Sequence, residues 1–143
     1  MVFQFFPQLA RLRGRLGGLL SGGERQMLAL GCALVCRPEL LLIDELSLGL
    51  APIVVEDLAQ RLTQIRRELD ITILLVEQSA AVALAIADHG YVMENGRIVL
   101  EGPAATLRQN SDVKEFYLGL NETGARRSYH DVKRYRRRKR WLS

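Results

Sequence analysis

Two short apolar runs bracket a stretch of helical periodicity, and this arrangement limits the fold more than any other feature of the chain. Leu40-Leu41-Leu42-Ile43 is continuously apolar, and the stretch from Ile71 to Val76 is rich in β-branched residues. Both read as strands buried on both faces. Between them Val55, Leu58, Leu62, Ile65 and Leu69 recur at intervals of three and four behind Pro52, the pattern of an amphipathic helix with proline near its start. Strand, helix and strand together predict a βαβ unit with parallel strands. Downstream, Ser79 is a candidate N-cap for a helix over Ala80 to Ala87. Asn95-Gly96, flanked by Tyr91 to Glu94 and Arg97 to Leu100, predicts a tight antiparallel hairpin. Two short helical stretches are expected after Gly102-Pro103, and beyond Gly119 the apolar periodicity stops. The predicted class is α/β.

The formal charge of +4 conceals two halves of opposite sign. Residues 121–143 contain nine of the 20 Lys/Arg and two of the 16 acids, which leaves eleven bases against fourteen acids in residues 1–120. The charged end is poor in apolar residues and is expected to be a disordered tail. Its Arg126-Arg127 and Arg136 to Trp141 segments, with Tyr129 and Tyr135 interleaved, raise a nucleic-acid reading. An appended cationic tail more commonly meets anionic lipid or nothing specific, so no specific nucleic-acid partner is expected. Cys32 and Cys36 share one face of a predicted helix and are too few for a disulfide framework or a four-ligand metal site. They are expected to be reduced and mostly buried. No apolar run reaches the roughly 18 residues of a membrane span, and residues 1–7 lack the features of a signal peptide, so a cytoplasmic location is expected.

Two segments carry chemistry. Leu20-Ser21-Gly22-Gly23-Glu24-Arg25-Gln26 precedes a helical stretch that ends near Arg37-Pro38. Ser21 with Glu24 three residues on forms a capping box. The paired glycines add nothing to capping, but they would let an anion approach the amides at the positive end of the helix dipole. In the second segment, the run Leu40 to Ile43 ends in Asp44-Glu45. Paired carboxylates at the C-terminal edge of a parallel strand stand where open α/β sheets bind ligands, and they suit magnesium binding beside activation of a water.

Taken together, these segments resemble the ATP-binding subunits of ABC transporters. Leu20 to Gln26 is similar to the family's signature motif, Leu41 to Glu45 to its Walker B strand, and Ser47-Leu48-Gly49-Leu50 to its D-loop, in the family's order and spacing. Ser47 to Pro52, Leu75-Val76-Glu77-Gln78 and Gly90 to Arg97 look most like subunits that energise uptake of branched-chain amino acids. The resemblance covers roughly residues 3 to 120. It implies a partial P-loop NTPase fold with parallel core strands, a remnant of the helical subdomain and a C-terminal hairpin over residues 1–120. It also implies ATP and Mg2+ as ligands, with a second ATP-binding subunit and transmembrane permease subunits as partners on the inner face of the cell membrane. Residue by residue, Ser21, Gly22 and Gly23 would contact the γ-phosphate of ATP held mainly by the partner subunit. Asp44 would support magnesium, Glu45 would be the general base, Ser47 to Leu50 would cross the dimer interface at the nucleotide, and Gln78 would stand at the switch position.

The sequence departs from that pattern in three places. Leu46 replaces the proline that usually follows the glutamate, Cys32 stands where arginine is usual, and both are expected to loosen the site. The third departure is larger. A P-loop needs glycines and a lysine that reaches the phosphates, yet the lysines are Lys114, Lys133 and Lys139 and none follows a glycine. The sequence therefore reads as the second half of the family domain, beginning inside the helical subdomain. The leading expectation is an importer subunit that is inactive alone. The alternatives are a non-catalytic interaction fragment that keeps only dimer contacts, and a soluble ABC-type ATPase acting on nucleic acid or ribosomes.

Overall fold

The computed structural model describes residues 1–114, and the basic segment expected to be disordered lies outside the described residues. Two short helices, α1 (Val2–Phe5) and α2 (Pro7–Arg11), precede a 3-10 turn at Gly17–Leu19 and the helix α3 (Gly22–Val35). Strand β1 (Leu40–Asp44), helix α4 (Pro52–Leu69) and strand β2 (Thr72–Val76) follow. The chain continues through α5 (Ala80–Ile86), β3 (His89–Glu94), β4 (Arg97–Pro103) and α6 (Ala104–Gln109).

The βαβ unit forms as its periodicity predicts. Helix α4 starts with proline in its first turn, where the missing N–H leaves no broken bond, and buries Val55, Leu58, Leu62 and Ile65. Its last turn carries Arg66 and Arg67, whose charge favours the negative helix end. It stops at Asp70, whose φ of 50° is left-handed, a conformation a short polar residue tolerates. The chain then returns so that β2 pairs parallel to β1, Leu40 opposite Thr72 and Asp44 opposite Val76. The main core gathers Phe5, Phe6 and Leu9 from the N-terminal helices, Met27, Leu30 and Leu34 from α3, Leu41 and Ile43 from β1, and Leu58, Leu62 and Ile65 from α4.

Two expectations need correction here. The strands are covered on one face only: Leu41 and Ile43 are 6% exposed, whereas Leu40, Leu42, Leu74 and Val76 are 52%, 66%, 52% and 55% exposed. An apolar run shows that a strand can be buried twice. It does not show that a second layer is present, and among the described residues nothing covers that face. The cysteines are also exposed. Helix α3 turns Met27, Leu30, Gly31 and Leu34 inward, and Cys32 and Cys36 lie off that stripe.

The C-terminal hairpin pairs antiparallel, Glu94 opposite Arg97, with an irregularity at Val92/Met93. Its turn residues Asn95 and Gly96 have φ of 47° and 74°, both positive as a type I′ turn requires. A second, smaller apolar cluster of Leu84, Ala104, Leu107 and Val113 holds α5 and α6 with this hairpin.

Candidate functional site

The parallel pair places three of the sequence-predicted residues at one edge. Asp44 is the last residue of β1, Gln78 is the second residue after β2, and the Glu45 amide extends the ladder by donating to the Val76 carbonyl at 2.8 Å. All three side chains are exposed at this C-terminal edge, where a parallel sheet presents its ligand site.

Past Asp44 the backbone turns sharply. Glu45 has a φ of 50°, a conformation that costs a non-glycine residue on the order of 1–3 kcal/mol and persists only where its surroundings enforce it. Several contacts do so. Leu46 is fully buried in the main core, so the residue in place of the family's usual proline anchors the loop, contrary to the loosening expected from sequence. The Leu48 amide donates to the Glu45 carbonyl at 3.3 Å, the Leu50 amide donates to the Ser47 carbonyl at 3.2 Å, and Gly49 supplies a φ of 70°. The Ser47 amide and hydroxyl donate to the two carboxylate oxygens of Glu77, each at 2.7 Å. Within Leu75 to Gln78, Glu77 carries no local sign of this role. Its partner lies 30 residues away, and no local spacing signals such a pair.

The other candidate residues stand at the start of α3. Ser21 caps the helix in both directions: the Glu24 amide donates to Ser21 Oγ at 3.3 Å, and the Ser21 amide donates to Glu24 Oε2 at 2.7 Å. The Ser21 amide, assisted by the Ser21 hydroxyl and by the Arg15 charge, holds the Glu24 carboxyl below its usual range. One guanidinium nitrogen of Arg25 donates to the Leu20 carbonyl at 2.6 Å and braces the turn from behind. The two glycines serve packing as well as any ligand. A Cβ on Gly22 would lie 3.1 Å from Leu50 Cδ2, and one on Gly23 would lie 2.6 Å from Val54 Cγ1. The glycine turn therefore rests on the end of the loop that begins at the carboxylates and on the first turn of α4.

These two groups remain separate within the chain. Asp44, Glu45, Ser47 and Gln78 share the strand edge, while Ser21, Gly22 and Gly23 lie beyond Leu50 at the helix start. Among the described residues no three His, Cys, Asp or Glu side chains gather as a metal site. One or two carboxylates without a closed cage suit Mg2+, which retains waters and draws its remaining ligands from phosphate oxygens. A concavity lined by Arg66, Arg67, Asp70, Thr72 and Asp88 lies at the opposite end of β2 and contains none of the candidate residues. No helix among the described residues is long and apolar enough to cross a membrane.

Residues 6–47 match the family model described as ABC transporter. The chain is 49% identical over 118 residues to the high-affinity branched-chain amino acid transport ATP-binding protein BraG of Pseudomonas aeruginosa, covering 82% of this chain and 50% of that one. It is 39% identical over 115 residues to the probable branched-chain amino acid transport ATP-binding protein LivF of Archaeoglobus fulgidus, covering 80% of this chain and 49% of that one. Its fold superposes on the ADP conformation of MJ1267, an ATP-binding cassette of an ABC transporter, with a TM-score of 0.70 and 31% identity over 82% of this chain and 47% of that one. The chain thus spans about half the length of the relatives it matches.

Proposed function

Because the chain belongs to the ABC transporter family of ATP-binding proteins, we propose that it forms the signature-bearing part of an ATP-binding subunit in an importer of branched-chain amino acids, coupling ATP binding and hydrolysis to transport. The observation that carries this reading is the seating of the signature glycines on the loop that follows the two carboxylates. Identity to BraG and LivF supports the substrate class. The chain would work at the inner face of the cell membrane with a second ATP-binding subunit and permease subunits.

Each side chain then has a task set by its chemistry. Ser21, whose exposed hydroxyl assists in holding the Glu24 carboxyl, would turn its one proton from that carboxylate to a γ-phosphate oxygen. The Gly22 and Gly23 amides lie at the positive end of α3 and favour the same anion. Asp44 would hold a magnesium aquo ion, Glu45 would accept a proton from an attacking water, and Gln78 would donate an amide proton to that water or to a phosphate oxygen. Magnesium, when bound, supplies neutralisation of charge on the phosphate oxygens.

Residues 1–143 contain no phosphate-binding loop, so in a preparation of these residues alone Asp44 and Glu45 would have no phosphate presented to them. Ser21 acts on nucleotide held by a partner and remains usable. Steady-state phosphate release tests this division. The chain alone is expected to show none, and mixing it with a complete partner subunit should raise release above that of the partner alone. Ser21→Arg should remove that increment by about a hundredfold, the scale of losing a transition-state hydrogen-bond donor, while Glu45→Gln leaves it nearly intact. Hydrolysis by the purified chain that vanishes in Glu45→Gln would overturn the reading. Absence of any increment in the mixture would favour the interaction-fragment alternative, in which only dimer contacts survive.

A further inference from the structure

The carboxylate of Glu77 lies between two parts of the site, and neither the signature nor the paired carboxylates accounts for it. It follows β2 directly, beside Gln78, and both of its oxygens are engaged by one residue of the loop after β1. A carboxylate that accepts from a backbone amide and from a hydroxyl of the same residue forms two charge-assisted bonds in a fixed geometry, and both are partly buried.

We propose that Glu77 is a positioning residue that clamps Ser47, fixes the Glu45–Leu50 loop to the end of the switch strand, and through Leu50 sets the position of the signature turn. The links are contiguous. Glu77 holds Ser47, the Leu50 amide is bonded to the Ser47 carbonyl, and Leu50 packs where Gly22 lacks a Cβ. The clamp also bears on Glu45. Its left-handed backbone is held on one side by the Val76 carbonyl and on the other by the bond from the Leu48 amide inside the clamped loop.

The same geometry reassigns Ser47. Its hydroxyl proton is given to Glu77, and a hydroxyl has only one proton. Towards a phosphate oxygen, which only accepts, Ser47 has nothing further to offer, so its task is to hold the loop and not to contact the nucleotide.

The positioning claim is tested on the full chain without nucleotide, so its outcome is independent of the ATP reading above. The probe is the amide spectrum of isotope-labelled protein together with amide hydrogen exchange. In wild type the Ser47 amide proton is expected well downfield, as a donor to a carboxylate. Glu77→Ala should move it upfield, accelerate exchange of the Ser47 to Leu50 amides at least about tenfold, and shift the Gly22 and Gly23 resonances, with Leu58 and Leu62 in α4 unchanged. Ser47→Thr, which keeps both donors, should retain the wild-type pattern across the loop, whereas Ser47→Ala should keep the downfield amide at position 47 but accelerate exchange. Should Glu77→Ala fail to fold, Glu77→Gln gives a graded readout: its single uncharged oxygen can replace only one of the two carboxylate acceptors, so the Ser47 amide should move upfield by less and exchange of the loop amides should still accelerate. An unchanged Ser47 amide shift in the folded Glu77 variant would overturn the clamp, and a lost clamp with unmoved Gly22 and Gly23 would overturn its reach to the signature turn.

Discussion

Gly23→Ala separates the packing role of the signature glycines from any role in binding. The added methyl would lie 2.6 Å from Val54 Cγ1, about 1 Å inside the best separation of two carbon atoms. Val54 cannot swing away easily, because a β-branched side chain in a helix has essentially one χ1 rotamer. Relief therefore requires α3 and the first turn of α4 to part, an overpacking cost of about 1–3 kcal/mol. Against this, alanine is favoured over glycine within a helix by up to about 1 kcal/mol. The net effect in wild type is a loss of about 0–3 kcal/mol. In a Val54→Ala background the clash is absent, so the same substitution should stabilise by up to about 1 kcal/mol. This reversal of sign is the result to look for, measured as the midpoint of urea unfolding followed by circular dichroism across the four members of the double-mutant cycle. Gly22→Ala serves as a control. It meets only the end of the Leu50 side chain at 3.1 Å and should be milder. Equal shifts for Gly23→Ala in both backgrounds would refute the packing argument and leave the glycine without a structural reason inside this chain.

Three further outcomes are expected. Leu62→Ala, at a site 1% exposed in the main core, should destabilise by about 2–5 kcal/mol in the same unfolding assay. The Glu24 carboxyl is held below its ordinary value, so its contribution is complete above the unfolded-state value near 4.5 and is lost as the pH falls through the lower folded value; Glu24→Gln should flatten that acid-limb loss of helicity. Replacing Leu42 and Leu74, paired across β1 and β2 on the bare face, with lysine should reduce self-association in size-exclusion chromatography while leaving the circular dichroism spectrum unchanged, because exposed apolar strands template association.

The elements written in local patterns were legible before the structure. The repeat from Val55 to Leu69 defined α4, Ser79 accepts from the Val82 amide as a cap should, and Asn95-Gly96 makes its hairpin turn. The reciprocal cap of Ser21 and Glu24 is also a three-residue pattern, and it forms as read. What was not legible depends on partners distant in sequence or absent from it. Leu42 and Val76 are apolar whether or not a second layer covers them, so sequence assigned them a burial they do not have. Cys32 and Cys36 were placed on a common helix face, but which face turned inward depended on where Phe6 and Leu9 came to lie. Nothing local marks Glu77, because its acceptor role exists only once β1 and β2 lie side by side. The left-handed backbone at Glu45 was equally hidden, since glutamate gives no local warning of it.

The parallel pairing of β1 with β2 has a consequence for how the chain is made. Partners across the pair are 72 − 40 = 32 positions apart, whereas the hairpin closes over the two residues Asn95 and Gly96. During synthesis at roughly 5–20 residues per second, β1 therefore emerges and waits on the order of 2–6 s before its partner exists. Throughout that interval the edge of Leu40 to Ile43 that β2 will cover is unpaired. The amphipathic repeat that follows it is the first local structure able to cover it, since helices form within about a microsecond of becoming available. The order β1, α4, β2 thus limits the time for which the most association-prone segment is exposed, and substitutions that weaken α4 should reduce the yield of soluble chain in cells more than equally destabilising changes in the hairpin.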